Sequence, residues 1–147
     1  MVAPYVVEFE VEKDDFLAAG EGSGSVKDTL KMLGMPSPVI RRAAIITYEA
    51  EMNLVIHGGG GLLRVLITPQ RLEIISSDEG PGIPDVAMAM KEGYSTAPDR
   101  VREMGFGAGM GLPNIKRNSD SLEIDSTVGV GTTLRAVIEL DSEGGSV

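Results

Sequence analysis

The sequence contains no cysteine, which excludes disulfide bonds and thiolate chemistry. It contains a single histidine, so a metal site built from several histidines is excluded and a Ser-His-Asp triad has little support. Basic residues are few: the sequence has 13 Lys and Arg and 22 Asp and Glu, which gives a formal net charge of -9. This charge disfavours non-specific binding to nucleic acid or anionic lipid, so any phosphate ligand would have to be held by local contacts.

Long apolar runs are absent as well, since no segment approaches the roughly 20 residues of a membrane-spanning helix. The segment Met1–Asp15 becomes acidic too early to resemble a signal peptide. We therefore expect a soluble, cytoplasmic protein. With 147 residues, of which 42% are hydrophobic, the chain 1–147 is predicted to form a single domain around one core.

Hydrophobic periodicity predicts a mixture of helices and strands. Alternation at Val7–Glu12 indicates a strand, and a Gly/Ser-rich joint at 18–25 precedes a helix that runs from Val26 to a C-terminal cap at Gly34. A long helix should follow, with Ser37 as its N-cap and a proline directly after it. The remaining predicted elements are strands at 62–68 and 71–77, short helical segments at 86–93 and 113–118, and strands at 121–126 and 132–140.

These elements do not alternate strictly between strand and helix, and the last two strands follow each other directly. Such an order predicts an α+β fold in the form of a two-layer α/β sandwich, and argues against a doubly wound sheet. We expect a mixed, largely antiparallel sheet that helices cover on one face. The acidic, glycine-bearing segment 141–147 is predicted to be a flexible tail.

The long predicted helix carries polar residues where a core would require apolar ones. Glu49, Asn53 and His57 are spaced four residues apart, so on a helix they form one narrow stripe. A solvent-facing stripe of an amphipathic helix would show the same spacing, so the stripe alone does not establish a site. Glu51 points to nearly the opposite side and is expected to be an ordinary solvated acid.

A second polar motif, DEGPGIPD, follows directly after a predicted strand. Asp78 therefore lies at a strand end, and Gly80 and Gly82 permit the sharp turn after it. A plain loop with an Asx turn would explain these residues. Alternatively, a carboxylate fixed at the strand end could accept a hydrogen bond from an exocyclic amine such as that of adenine, while the glycines let the backbone approach the ring.

A third motif alternates glycines ahead of a short predicted helix, at Gly105, Gly107, Gly109 and Gly111. Backbone amides without side chains that lead into a helix N-terminus form an anion site, because nothing shields the N–H groups and the helix dipole favours negative charge. A flexible hinge is the alternative explanation. The spacing matches neither the dinucleotide-binding G-x-G-x-x-G nor a Walker motif, and the protein-kinase signatures H-R-D and D-F-G are absent.

The order of the motifs is more specific than any one of them. E-x-x-x-N on a helix, D-x-G-x-G after a strand, a variable polar loop, G-x-G-x-G-L at a helix start and G-T-T between strands together resemble the GHKL-type ATP-binding fold of gyrases, histidine kinases and MutL. The resemblance covers residues 37–140. Within that superfamily the chain is similar to the stand-alone serine kinases, which comprise anti-sigma factors and switch kinases. It resembles the switch kinases more closely.

The resemblance implies a role for each matching residue. Asn53 would coordinate an Mg²⁺ ion that bridges the ATP phosphates, and Glu49 would polarise the attacking water or serine hydroxyl. Asp78 would bind the adenine amine. The other residues that the resemblance places at the nucleotide are Gly80, Gly82, Ile83, Gly107, Gly109, Met110, Gly111, Leu112 and, on the adenine side, Thr132 or Thr133.

Two segments are less well defined by the resemblance. The polar segment 94–104 would form the ATP lid, in which Arg100 and Arg102 are candidates to meet the γ-phosphate, although the register is open. The segment before Ser37 matches no motif. In the family this region contributes to partner contacts and dimer formation, so a homodimer is left open.

The function implied by the resemblance is that of an Mg²⁺-ATP-dependent protein serine/threonine kinase of the partner-switching type. Its substrate would be a small antagonist-like protein, and a sigma factor or other regulator would be a further partner. Three alternatives remain: a binding module that uses ATP only to set its affinity for a partner, a simple ATPase, and a detached histidine-kinase domain. The last is disfavoured because the sequence has no dimerising helix with a phosphoacceptor histidine.

Overall fold

The computed structural model describes residues 4–15, 17–57, 59–91 and 111–140. The segments predicted as the ATP lid and as the flexible tail lie outside these residues. No helix in the described ranges is long and apolar enough to cross a membrane. In chain order the elements are β1 (Tyr5–Glu12), α1 (Glu21–Met32), α2 (Ser37–Ile56), β2 (Gly60–Ile67), β3 (Arg71–Asp78), α3 (Val86–Ala89), α4 (Gly111–Asn118), β4 (Ser121–Thr127) and β5 (Gly131–Glu139).

The strands form one five-stranded sheet in the order β1-β2-β3-β5-β4. The predicted α+β class is confirmed. All four neighbouring pairs are antiparallel, so the parallel component of a mixed sheet does not occur among the described strands. Three-residue connections join β2 to β3 and β4 to β5, and antiparallel strands need no longer crossover.

Alternation along the strands separates a buried face from an exposed one. Helices α1, α2 and α4 pack on the buried face, where the core includes Val26, Leu30, Ile46, Leu54, Leu63, Val65, Leu72, Ile74, Ile115, Ala136 and Ile138. On the opposite face the guanidinium of Arg135 lies 2.8 Å from a carboxylate oxygen of Glu73 and 2.8 Å from one of Glu123. Helices therefore cover one face of the sheet within the described part of the chain, as predicted.

Helix α2 contacts α1, α4 and the sheet, so it is central to the helical layer. The prediction of Ser37 as its N-cap is wrong by one residue. Pro36 is the N-cap, with extended backbone angles (φ -62, ψ 145), and no side chain caps the helix. The first turn closes on Pro36 because its carbonyl accepts the backbone N–H groups of Val39 at 3.0 Å and Ile40 at 3.1 Å.

The start of α1 corrects two predictions. The Gly/Ser-rich joint at 18–25 is partly helical, since α1 begins at Glu21. Glu51 is not a solvated acid, because its exposed fraction is 4% and its two carboxylate oxygens accept the backbone N–H groups of Gly22 and Ser23, each at 3.1 Å. These donors have no partner inside the first turn of a helix, so Glu51 of α2 stabilises a helical start that glycine disfavours.

The turn between β2 and β3 contains Pro69 and Gln70, which are not residues typical of a tight hairpin. Its conformation depends on the preceding threonine. The Thr68 hydroxyl oxygen accepts the backbone N–H groups of Gln70 at 3.3 Å and Arg71 at 3.2 Å. The backbone N–H of Thr68 also donates to the carbonyl of Arg71 at 3.0 Å, so one backbone bond and the side-chain contacts together close the turn.

Candidate functional site

The first part of the site is the polar stripe of α2. Glu49 and Asn53 are both half-buried, and they lie one turn apart beside the N-terminus of α4. A Cβ atom at Gly111 would lie 3.3 Å from Oδ1 of Asn53 and 3.5 Å from Oε1 of Glu49. The two oxygens therefore converge on the first residue of α4, and a glycine there leaves them uncovered.

The structure adds Asn114 to this part of the site. Its Nδ2 donates to Oε2 of Glu49 at 2.9 Å, and its Oδ1 accepts a hydrogen bond from Nη2 of Arg117 at 2.6 Å. Sequence analysis missed Asn114 because 65 residues separate it from Glu49. The only available signal was its place one turn after Gly111, on the helix that follows the glycine motif.

His57, the third member of the stripe, is the C-cap of α2, and its backbone N–H donates to the carbonyl of Asn53 at 2.9 Å. Burial lowers the pKa of His57 below its ordinary value of 6.5, because the charged imidazolium loses hydration. The imidazole is therefore mainly neutral at pH 7. This argues against His57 as a positively charged contact to phosphate or as a proton-carrying imidazolium.

The second part of the site surrounds Asp78 at the end of β3. Oδ1 of Asp78 accepts the backbone N–H of Gly80 at 2.8 Å and that of Thr132 at 3.3 Å. The first bond is the Asx turn that the sequence allowed, and the second fixes the carboxylate to β5. Both bonds use the same oxygen, so Oδ2 is the oxygen that these two contacts leave for another donor.

Strand register distinguishes the two threonines that follow Gly131. Thr132 pairs with Asp78 and lies on the helix-covered face, because alternate residues of each strand point to one side. Thr133 pairs with Ser77 on the opposite face and is exposed. The structure therefore places Thr132 beside Asp78 and Thr133 away from it.

The loop after Asp78 is fixed to the β4–β5 hairpin. The backbone N–H of Ile83 donates to Oγ of Ser126 at 2.7 Å, and this hydroxyl lies 2.8 Å from Oγ1 of Thr132. Gly82 has a left-handed φ of 81, and a Cβ there would lie 2.5 Å from the carbonyl oxygen of Thr127. Only glycine combines this backbone angle with such a close approach. Sequence analysis missed Ser126, whose neighbours in the chain give no signal of this contact.

The two parts lie on the same side of the sheet, with Gly61 of β2 between them. A Cβ at Gly61 would lie 2.8 Å from Cδ2 of Leu54 and 3.2 Å from Cβ of Asp78. Leu54 is the residue after Asn53, so one glycine position contacts both α2 and the Asp78 strand end. Together the two parts form a surface that is made by α2, the start of α4 and the adjacent ends of β2, β3 and β5. It carries carboxylate, amide and hydroxyl groups.

Some predicted site residues pack in or against the core, and others are not described. Leu112 is 8% exposed and belongs to the core. Ile83 is partly buried and packs against the core. Gly107, Gly109, Met110, Arg100 and Arg102 lie outside the described residues. Within the described ranges, no group of three or more His, Asp or Glu side chains could hold a metal ion by itself.

Comparison with known proteins gives consistent matches. The family model described as histidine kinase-, DNA gyrase B-, and HSP90-like ATPase matches residues 39–142. The chain is 31% identical over 115 residues to the serine/threonine-protein kinase RsbT of Bacillus subtilis, a match that covers 76% of this chain and 80% of that protein. It is 33% identical over 100 residues to the anti-sigma F factor of Thermoanaerobacter sp., covering 65% of this chain and 66% of that protein.

A solved structure shows the same fold. The chain is similar to a protein in the crystal structure of the SiaB-SiaC complex from Pseudomonas aeruginosa, with a TM-score of 0.63 and 14% sequence identity. The match covers 90% of this chain and 88% of that chain. It agrees with the antiparallel sheet and the one-sided helical layer.

Proposed function

The chain belongs to the family of histidine kinase-, DNA gyrase B- and HSP90-like ATPases, and on this premise we propose that it is an Mg²⁺-ATP-dependent serine/threonine kinase that phosphorylates a small antagonist-type regulatory protein. Its similarity to a serine/threonine-protein kinase and to anti-sigma F factors supports the partner-switching type. The observation that carries the proposal is the convergence of Glu49 Oε1 and Asn53 Oδ1 on Gly111, at the start of α4.

The described residues fit a nucleotide with its metal ion. Family membership implies ATP, and the N-terminus of α4 at Gly111 offers backbone N–H groups and the positive end of a helix dipole to its phosphates. Asn53 would hold Mg²⁺ through its amide oxygen. Mg²⁺ usually keeps few protein ligands besides substrate phosphates, so the absence of a three-residue cluster in the described ranges is compatible with this role. When bound, the ion would neutralise developing phosphate charge.

The adenine end of the nucleotide is proposed to lie at Asp78. Its Oδ2 would accept a hydrogen bond from the exocyclic amine, while Oδ1 stays bonded to Gly80 and Thr132. The Thr132 hydroxyl, which is held by the hydroxyl of Ser126, would line the adenine side of the pocket. Gly80 and Gly82 would shape this pocket, and Gly82 does so by letting the loop after Asp78 lie against the carbonyl of Thr127.

The catalytic group in this proposal is the carboxylate of Glu49. It would accept the proton of a serine or threonine hydroxyl as that oxygen attacks the γ-phosphate, which makes the hydroxyl a better nucleophile. One of its oxygens faces Gly111, where the phosphates would lie, so the carboxylate is on the correct side of α2 for this role. A side chain on the opposite side, such as Glu51, could not take its place.

We place this function in one ATP-binding domain in the cytoplasm, where ATP is supplied. The proposed partner is a small regulatory protein that presents a serine or threonine. A sigma factor or other regulator as a second partner, and a homodimer, stay predictions.

The test is phosphate transfer by the full chain from ATP labelled on its γ-phosphate. The substrates offered are small regulatory proteins encoded near its gene, and label on a serine or threonine is the expected result. Glu49→Gln should reduce the transfer rate about 10²–10⁴-fold with little change in ATP affinity, as expected for loss of a positioned base. Asp125→Asn, which changes an exposed acid of β4 on the sheet face opposite the helices, is the control.

Other outcomes would select an alternative. If no partner is labelled and ATP only changes partner affinity, the chain is a binding module. If ATP is hydrolysed but no partner accepts phosphate, it is a simple ATPase. Full transfer by Glu49→Gln would show that the base has been assigned to the wrong residue.

A further inference from the structure

The two oxygens of the Glu49 carboxylate have different surroundings. Oε2 accepts a hydrogen bond from Nδ2 of Asn114 at 2.9 Å. Oε1 is instead the oxygen nearest to a Cβ position on Gly111, at 3.5 Å. A carboxylate bonded through one oxygen loses most of its freedom to rotate, so the contact with Asn114 also determines where the other oxygen points.

The orientation of the Asn114 amide is itself determined by a neighbour. Its Oδ1 accepts a hydrogen bond from Nη2 of Arg117 at 2.6 Å. A guanidinium can only donate, so the amide oxygen must face Arg117 and the amide nitrogen must face Glu49. A flipped amide would place N–H against Arg117 and oxygen against a carboxylate, and both contacts would be repulsive. Arg117 therefore orients the donor that holds Glu49.

The helix that carries this donor begins at the proposed phosphate position. Asn114 lies three residues after Gly111, which is the first residue of α4 and the neighbour of both Glu49 and Asn53. A neutral amide neither takes nor supplies a proton at pH 7, so Asn114 can hold the carboxylate without competing for the proton of a substrate hydroxyl. Helix α4 thus contacts the base and the proposed phosphate site through residues one turn apart.

We propose that Asn114 is a positioning residue for Glu49, oriented in turn by Arg117, and that it directs Oε1 toward the reacting hydroxyl. This inference rests on the proposed function, in which Glu49 is the base. A competing explanation is a purely structural bond between α2 and α4. The two explanations differ in what happens when Glu49 has already been replaced.

The experiment measures ADP release from Mg²⁺-ATP by the full chain, alone and with the small regulatory protein that it labels. Asn114→Leu removes the donor with little change in size, and Asn114→Asp keeps the shape and the contact with Arg117 but places an acceptor against Glu49. Both should reduce the turnover rate by about 10- to 100-fold, because displacing a reacting group by about 1 Å can lower the rate on the order of 10²-fold. ATP affinity of Asn114→Leu, measured by calorimetry, should change little.

A double-mutant cycle separates positioning from structure. In the Glu49→Gln background, Asn114→Leu should cause no further loss of turnover, since the group that it positions is already gone. A loss of the same size in both backgrounds would overturn the inference and indicate a structural bond. Asn118→Ala is the matched control on α4, because its side-chain amide donates to the backbone carbonyl of Asn114 at 2.8 Å and not to Glu49. It should keep wild-type turnover.

The remaining outcomes distinguish this inference from the proposed function. If Glu49→Gln loses turnover but both Asn114 variants keep it, the inference fails and the proposed function stands. If Glu49→Gln keeps wild-type turnover, or if the wild type neither releases ADP nor labels a partner, the proposed function fails and the inference fails with it.

Discussion

The carboxylate of Glu51 is buried against Gly22 and accepts its backbone N–H at 3.1 Å. A Cβ on Gly22 would lie 3.2 Å from Oε2 of Glu51, so a side chain at this position would crowd the carboxylate. This contact joins α1 to α2 two residues from Glu49 and two residues from Asn53. The acid that was expected to be solvated therefore stabilises the helical layer behind the site.

The first prediction concerns this carboxylate. Glu51→Gln keeps the size of the side chain but replaces one acceptor with an NH₂ group, which would face the N–H of Gly22 or Ser23. We expect the free energy of unfolding to fall by about 1–3 kcal/mol, the usual cost of leaving a buried polar group unsatisfied. Chemical denaturation measures the change, and Glu10→Gln on the exposed side of β1 is the control. An unchanged unfolding free energy would contradict the burial of Glu51.

The second prediction concerns Asn53. If its amide oxygen is the metal ligand, Asn53→Ala should weaken ATP binding in the presence of Mg²⁺ by roughly tenfold or more, which corresponds to about 1.4 kcal/mol. Binding in the presence of EDTA should change much less. Calorimetry with and without Mg²⁺ measures both affinities. A variant that responds to Mg²⁺ as strongly as the wild type would remove Asn53 from the metal site.

The third prediction concerns selectivity for adenine. Asp78→Asn can keep the Oδ1 contacts with Gly80 and Thr132, while an NH₂ group replaces the oxygen proposed to face the adenine amine. We expect ATP affinity to fall by about 10- to 100-fold, the loss typical of a hydrogen bond to a charged group. The wild type should also prefer ATP to GTP, because guanine carries a carbonyl at this position.

Two threonine variants provide the control for the adenine pocket. Thr132→Val removes a hydroxyl on the face of Asp78, so it should weaken ATP binding. Thr133→Val changes the opposite face and should leave ATP binding unchanged. Equal binding of ATP and GTP by the wild type, or an effect of Thr133→Val alone, would show that the pocket has been placed on the wrong side of the sheet.

The fourth prediction concerns pH. Burial lowers the pKa of His57 below 6.5, so the unfolded chain binds a proton at this residue more readily than the folded chain. The free energy of unfolding should therefore decrease as pH falls through about 6.5 toward the folded-state pKa, and His57→Gln should reduce this decrease. Denaturation of both proteins between about pH 5 and 8 tests it. Parallel pH profiles would mean that His57 does not contribute.

Much of this protein was determined by local sequence. Periodicity of apolar residues located the long helix and the strands of both hairpins, because a helical or extended repeat reflects which side of an element is buried. The order of the polar and glycine motifs was equally local, and it indicated the ATPase family before any contact was known. The spacing of Glu49 and Asn53 placed them on one side of α2 by helix geometry alone.

What only the tertiary structure decided were the contacts between residues distant in the chain. Periodicity says that Glu51 and Glu49 point in different directions, but not that α1 covers Glu51 and supplies two N–H groups to it. Strand register, set by pairing across the sheet, decides that Thr132 and not Thr133 lies beside Asp78. The contact of Asn114 with Glu49 likewise depends on how α4 packs on α2. These outcomes follow from packing and pairing across long sequence separations, where local propensity and spacing carry no information.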